Sequence, residues 1–549
     1  MAIDAFFGLS QASSGLRAAQ KNLSIVSHNL SNASTEGYSR QQSIQEAGKT
    51  SSNHTGAGIV GTGTEIITIE RIRDDYLDFK FWSEEITQGE WQAKSLVLAD
   101  IEVVFNEPSD SGFNTTMNDF YEGLQELAKD PSSDSVRAIV RQKSVTLTKY
   151  FNTTAAHLEK IQEDINHNIK AKVEEVNSLA KQLAEVNKQI FNQELSGHSA
   201  NDLRDRRVSL VDKVAKLINV EAKELIQNSS SGVLKKEFML TISGKPLVDN
   251  FEVTELSMDI RQEKLNEEDT SGLYEISWSD GNSIEIRGGE IKGYLDSRDG
   301  NEAKNDSPNY KGIPFYISKL NKFVRTFSMN LNEGYVDQNN DGTIQINEDG
   351  VGHVDGYKRN SSEDDQPSGI RFFTHMDADG NNITTEDFLD GAGDVENDPA
   401  TLVNERIEAI YERYNNITAR NFAISQDLFD SYDNISVSDK PAENGNMNIL
   451  NDILSARHNK ELFAEGASED FLKSLISTMG IDTQQANRIT ENQDNIVKQI
   501  SNRRLSNSGV SIDEEMSNLV KFQHTYNASA KMISTMSELY DTLINRTGV

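Results

Sequence analysis

The sequence predicts a mainly α fold with a β insertion, built from coiled-coil terminal helices, an elongated helical-rod domain and an inserted β-rich outer domain. Three observations carry this. Long heptad-patterned stretches occupy both ends of the 549-residue chain, at 3–34 and 511–546. No proline or glycine interrupts the chain between Ser135 and Leu195, where an apolar helical face recurs throughout. Residues 238–286 then alternate in short runs divided by Gly-Lys-Pro and Asp-Gly, which is strand-and-turn chemistry.

At the N-terminus Leu9, Leu16, Leu23 and Leu30 recur every seven residues, and Ala12, Ala19, Val26 and Ala33 sit three further on. This is an a/d seam on one helix over 3–34, which Gly37 terminates. Residues 44–63 are rich in Ser, Thr and Gly; Thr64 to Ile72 alternate as a strand. Helical periodicity runs from about Asp74 to Phe105 and again over 113–129, across a loop with Pro108 and Gly112. The segment Asp130-Pro131-Ser132-Ser133-Asp134-Ser135 starts the next helix, which spans roughly 90 Å at about 1.5 Å per residue. Gly197 breaks it, and Asn201 or Asp202 caps a return helix to about Ile218, giving an αα-hairpin.

Residues 220–312 read as β. Phe238–Ile242 and Leu247-Val248 flank one turn, while Tyr274–Trp278 and Ser283–Ile286 flank Asp280-Gly281. Helix resumes over 314–334. Residues 333–398 carry 17 acidic and 3 basic side chains with many Gly and Asn, which marks a loop-rich insert. Helices are expected at 401–418, 447–464, 468–478 and 480–508. In the last stretch Ile512, Leu519, Tyr526, Ile533 and Tyr540 keep the seven-residue period; Phe522, Met536 and Leu543 fill the partner positions, and Glu515 and Ser529 interrupt them. The expected division is a terminal assembly domain (1–45 with 505–549), a helical rod (46–220, 313–335 and 400–504), a β-rich insertion (221–312) and an acidic insert (336–399).

Composition narrows the function. A formal charge of −33 repels nucleic acid and anionic membranes, so neither is an expected partner. With no cysteine there is no disulfide, thiolate metal site or cysteine nucleophile. The start, Met1-Ala2-Ile3-Asp4-Ala5-Phe6-Phe7, lacks the basic and apolar regions of a secretory signal. No run approaches the roughly 18 apolar residues of a membrane span. The 9 histidines are scattered without metal spacing, and neither G-x-S-x-G nor a phosphate loop occurs. The chain reads as a non-enzyme that requires no cofactor. One motif points to a metal. Asp337, Asn339, Asp341, Thr343 and Glu348 fit the twelve-position calcium loop, with Gly342 at its turn. No helix pattern follows, so a lone calcium loop and an ordinary Asp/Gly turn both fit.

Two segments are more specific than any heptad. The first runs from Ser27 to Arg40, with Asn29, Leu30, Asn32, Thr35, Gly37, Tyr38 and Arg40. The second runs from Gly509 to Lys531, with Ile512, Glu515, Met516, Leu519, Phe522, Gln523, Tyr526, Ala528 and Ala530. They resemble the N- and C-terminal motifs of the bacterial flagellar axial proteins. The stretch Asn201-Asp202-Leu203-Arg204-Asp205-Arg206-Arg207, Gly334-Tyr335-Val336-Asp337 and Gly369-Ile370-Arg371-Phe372-Phe373 narrow the resemblance to the hook-associated branch of that family. The resemblance implies a structural adaptor at the hook–filament junction, outside the cell, supporting filament growth and motility. It implies export by the flagellar type III apparatus with a dedicated chaperone. The partners it implies are further copies in a ring, the hook protein and the second junction protein. Assembly is then expected to run through the named residues of both motifs together with Leu9, Leu16, Leu23, Val26, Ile533, Met536 and Leu543. The ends are expected to gain stable order only on assembly. The alternatives are another axial protein, hook-like or flagellin-like, and a secreted coiled-coil adhesin or effector.

Overall fold

The computed structural model describes residues 7–48, 50–52, 59–105, 112–196, 199–228, 234–334, 351–390, 410 and 412–545. The fold is mainly α with a β insertion. Its spine is a helix over Asp134–Leu195. Helices α1 (Phe7–Ser31), α2 (Asp75–Phe105) and α3 (Phe113–Lys129) precede the spine, α4. A return helix, α5 (Asn201–Leu217), packs back along its C-terminal end. Then come α6 (Glu290–Asp299), α7 (Ile313–Glu333), the short α8 (Thr385–Leu389) and α9 (Asp427–Asp430), α10 (Asn448–Ala456), α11 (Ser468–Ser508) and α12 (Ile512–Asn545). No helix among the described residues is long and apolar enough to cross a membrane.

One face of α4 buries Val140, Leu147, Phe151, Leu158, Ile165, Ile169, Val173, Val176, Leu183 and Ile190, as its periodicity predicts. A second face is covered too, and here side-chain amides replace apolar groups. Asn152 donates to Ala419 O, Gln162 to Arg298 O, Asn177 to Leu256 O and Asn187 to Asn250 O, at 2.7–2.9 Å. Each amide satisfies a main-chain carbonyl in a loop or at the end of a helix or strand. The spine is thereby stitched to segments far away in sequence.

The β elements are antiparallel. Strands β1 (Gln41–Ala47) and β4 (Thr64–Arg71) pair, as do the short β2 (Thr50–Ser52) and β3 (Ile59–Gly61). A four-stranded sheet runs in the order β5 (Glu221–Asn228), β6 (Leu234–Ile242), β7 (Lys245–Asp249), β8 (Glu252–Val253). β9 (Leu256–Ile260) pairs with β10 (Tyr274–Trp278), and β11 (Phe373–His375) with β12 (Phe422–Ile424). At the N-terminal end of the spine an aromatic cluster closes the core. Phe323 stacks on Phe151 at 5.2 Å and on Phe463 at 5.4 Å, and Phe373 meets Phe422 at 4.8 Å. Phe372 and Phe373, from the acidic insert, are fully buried in it. The described part of that insert is therefore anchored in the core despite its polar composition.

Several expectations need correction. β1 forms before Thr64, where the sequence marked no strand. The Asp280-Gly281 turn exists, with Gly281 at φ +82°, but Ser283–Ile286 returns as a single bridge at Ser283, and β10 takes β9 as its partner. Helix α6 interrupts the segment read as β. Gly293 at its middle hides it from periodicity, yet a Cβ there would meet Glu90 O at 2.4 Å, so the glycine permits the close crossing with α2. Residues 468–508 form one helix rather than two. Gly480 does not break it, because α11 lies packed along α2. The helix expected at 447–464 stops at Ala456, and between 401 and 418 only 410 and 412–414 are described as helical. Neither Asn201 nor Asp202 caps α5; Ala200 holds that position without a side-chain bond.

His353 supplies a pH test. It is fully buried, with Nδ1 2.7 Å from Ile370 O and Nε2 accepting from Ser436 N at 2.9 Å. That pairing fits only the neutral ring, and burial pushes its pKa down to about 4. Below pH 6.5 the unfolded chain takes up a proton that the folded chain refuses. Stability is therefore present above 6.5 and is lost as pH falls toward 4. His353→Gln is expected to lower the thermal midpoint at neutral pH but to flatten its fall across that window. Parallel melting curves for variant and parent would remove His353 as the cause.

Candidate assembly interface

α1 and α12 run antiparallel in a fixed register. A Cβ on Gly8 would meet Met536, one on Gly15 would meet Ser529, and Asn29 donates to Glu515 Oε2 at 3.1 Å. Advancing by sevens on one helix retreats by sevens on the other. On α1 the buried positions are Ala12, Ala18, Ala19, Asn22, Ile25, Val26 and Asn29. Leu9, Leu16, Leu23 and Leu30, the residues that announced the heptad, are only half-buried. The period was right and the centre of the seam differs. Small side chains face α12 and let the backbones approach, which leaves the leucines on the shoulders. β1 and β4 also pack against α1, where Asn22 Oδ1 accepts from Ser43 Oγ at 2.6 Å and Ser14 Oγ accepts from Thr64 N at 3.2 Å.

The two breaks in the C-terminal pattern are explained by the same geometry. Ser529 lies opposite Gly15 at the close crossing. Glu515 is buried and accepts from Asn29 Nδ2 and, at 2.8 Å, from Arg40 Nε, while Arg40 also reaches Glu514 at 2.7 Å. Asn29 is the centre of this lock. Its Oδ1 accepts from Tyr38 OH at 2.8 Å and Gln41 N at 3.0 Å, and its Nδ2 also donates to Gln41 O at 2.9 Å. Burial, reinforced by the carboxylates of Asp202, Asp205 and Glu515, pushes the Tyr38 phenol up, so it stays a donor. Asn32 closes the helix end through His28 O at 3.0 Å and Thr35 N donates to Asn32 O at 2.9 Å, while Gly37, expected to terminate the helix, sits at φ +77° in the turn beyond Ser31 where Tyr38 N donates to Thr35 O at 3.2 Å.

On α12, Leu519, Phe522, Tyr526, Ala530, Ile533 and Met536 are half-buried along the seam. Ile512, Met516, Gln523 and Ala528 are exposed. The Leu543 side chain and the whole loop with Asp337, Asn339, Asp341, Thr343 and Glu348 lie outside the described residues. Among the described residues no group of three or more His, Cys, Asp or Glu could hold a metal ion.

Sequence reasoning missed the residues that fasten this unit to the helical rod. Asp205 accepts from Ser39 N, Ser39 Oγ and Arg71 Nη1, each at 2.8 Å. Arg73 holds Asp78 with two bonds, at 2.6 and 2.9 Å, and donates to Ser39 Oγ at 3.0 Å. Arg504 joins Asp78 at 2.9 Å to Asp212 at 3.2 Å and lies 4.2 Å over Phe81. Burial raises the Asp212 pKa against the pull of Arg504. Arg40 N donates to Ser508 O at 2.8 Å, which ties the chain's exit from α1 to its entry into α12. Asp205 lies in the quoted Asn201–Arg207 segment, but no periodicity marks Arg71 and Arg73 as its partners, or Asp78 and Arg504 as the next links. Asp205→Ala would leave Arg71 and Ser39 facing a buried void, and removing one partner of a buried ion pair costs about 3–5 kcal/mol. The expected result is a lower thermal midpoint and faster amide exchange at 39–47 and 64–73, with Asp205→Asn less affected. Unchanged exchange in the alanine variant would show that Asp205 does not hold the joint.

Comparison with known proteins bears on all three regions. The family model for the flagellar hook-associated protein FlgK helical domain matches residues 98–347. The models for the flagellar basal body rod FlgEFG protein C-terminal and for the flagella basal body rod protein match 501–546 and 9–38. Flagellar hook-associated protein 1 of Bacillus subtilis is 29% identical and covers 99% of both chains. The proteins of that name from Escherichia coli and Salmonella typhimurium are 25% and 24% identical, each over 98% of this chain and 99% of its own. A solved flagellar hook junction protein FlgK from Burkholderia pseudomallei aligns with TM-score 0.39 at 17% identity, over 55% of this chain and 47% of that one. Over nearly its whole length the chain is similar to flagellar hook-associated proteins, and it has a structural role in the flagellum.

Proposed function

We propose that this chain is a non-enzymatic adaptor at the hook–filament junction, exported by the flagellar apparatus and assembled outside the cell through its terminal helices. One observation carries the reading. Among the described side chains of α12, Glu515 alone is buried, and every apolar one stays at least partly exposed. Ile512 is 55% exposed, Met516 48%, Val520 48% and Leu539 53%. A helix of 34 residues that completes no apolar core in its own subunit gains little from packing and is marginal alone. The main core, built from α2 to α11, includes no residue of α1 or α12. In this reading the ends acquire full cover from neighbouring copies in a ring, the hook protein below and the second junction protein above. The export chaperone and the type III apparatus handle the chain before that. Residues 1–45 with 505–549 form the assembly domain, and the helical rod, the β insertion and the acidic insert lie progressively outward.

The reading has a direct test. Protease should trim the isolated protein to about residues 45 and 505 and leave the helical rod intact, because a thin seam holds the terminal pair and no described apolar side chain of α12 is buried. A strain carrying Leu16→Ser with Leu23→Ser should secrete the protein yet form no filaments. Normal filaments and motility in that strain, or ends of the isolated protein that resist protease as well as the rod, would defeat it. Calcium titration tests the 337–348 loop. A rise in thermal midpoint at millimolar calcium assigns the loop as a site, and an unchanged midpoint assigns an Asp/Gly turn.

A further inference from the structure

Asn444-Gly445 is the sole Asn-Gly step in the chain. It lies in the turn between the bridge at Ser438 and the start of α10. Glycine in the second position leaves the backbone nitrogen unshielded. Gly445 is exposed, nothing would meet a Cβ there within 4 Å, and its nitrogen donates no hydrogen bond among the described residues. The Asn444 carboxamide is clasped by Asn360. Its Oδ1 accepts from Asn360 N at 2.8 Å, and its Nδ2 donates to Asn360 Oδ1 at 3.0 Å. Ala442 N adds a bond to Ser361 Oγ at 3.1 Å. Asn360 and Ala442 both hold left-handed backbone, at φ +62° and +59°, so the clasp keeps two strained turns together.

We propose that Asn444 is a spontaneous deamidation site and that its conversion releases the clasp between the turns around 360 and 444. The Gly445 backbone nitrogen, having given its proton to hydroxide, attacks Cγ of Asn444. A C–N bond forms, the Cγ–Nδ2 bond breaks, and ammonia leaves with a proton from water. Water then opens the five-membered imide at either carbonyl to give aspartate or isoaspartate, with no oxidation or reduction. The Asn360 N–H points at the oxygen on which negative charge gathers during attack, so the clasp assists its own removal. The product carboxylate has no proton to offer Asn360 Oδ1. Two acceptor oxygens then face each other, in a turn that already holds Glu443 and Asp439. Isoaspartate also lengthens the main chain by one methylene, which the strained turn must absorb.

Ageing the full-length protein in warm, mildly alkaline buffer, followed by peptide mass analysis and enzymatic isoaspartate labelling, tests both halves. Position 444 should convert faster than any other asparagine, and Gly445→Ala should slow it by about tenfold because the added Cβ shields the nitrogen and restricts the backbone. That variant fits the fold, since the site is open and Gly445 does not need left-handed backbone. Amide exchange at 358–362 should quicken in the aged protein and in Asn444→Asp. Conversion elsewhere before 444, or an equal rate in Gly445→Ala, overturns the site. Unchanged exchange in Asn444→Asp overturns the release.

Discussion

The contact on which this architecture depends is the buried carboxylate of Glu515 between Asn29 and Arg40. Taking a carboxylate out of water costs several kcal/mol unless charge and hydrogen bonds replace the solvent. Here both come from the N-terminal motif, some 480 residues away in sequence. Neither terminal motif can be satisfied without the other. From Arg40 the chain of polar contacts continues through Ser39 to Asp205, Arg73, Asp78 and Arg504. The two ends are therefore referenced to each other and then to the helical rod, almost entirely through directional bonds. Hydrophobic burial, which is indifferent to direction, is concentrated elsewhere.

That division of labour matches what each part does. The helical rod has a continuous apolar core, from Val97 to Ala486, and an aromatic cluster that draws in Phe372 and Phe373 from the acidic insert. The terminal pair has a thin seam of alanines and glycines with its leucines half-covered. A subunit built this way holds its body rigid and keeps its adhesive surface incomplete. In the proposed function, the missing cover is what a neighbouring subunit supplies.

The long elements were legible in the sequence. α2, α3, α4, α5, α7 and α12 fall within a few residues of their expected bounds, since each has either strong apolar periodicity or clear Gly/Pro boundaries. What escaped is what tertiary contact decides. α6 exists because Gly293 nests against Glu90 and Ala93; α11 survives Gly480 because α2 lies beside it; and β10 prefers β9 over the strand promised by an Asp-Gly turn. At the site, motif resemblance picked out Asn29, Tyr38, Arg40 and Glu515 before their contacts were known. Asp78, Arg71, Arg73 and Arg504 carried no signal, since an ion pair between distant residues leaves no period in either segment. The heptad leucines show the reverse error. Bulky residues advertise a seam, but Gly8 and Gly15 mark its closest approach, glycine is silent in an apolar pattern, and of the two expected rows it is that of Ala12, Ala19 and Val26 that is buried.

The seven-by-seven antiparallel register has one further consequence. A greasy seam of alanines against bulky partners would tolerate sliding, because each step of a heptad brings a similar set of side chains opposite. Such a pair has several rungs of nearly equal energy. Glu515 favours only one of them, since on that rung alone its carboxylate meets Asn29 and Arg40 together. It works as an index pin in a ratchet, setting where the helices stop more than how tightly they hold. In the polymer proposed above, a one-rung error would pass from subunit to subunit, and a single buried carboxylate guards against it.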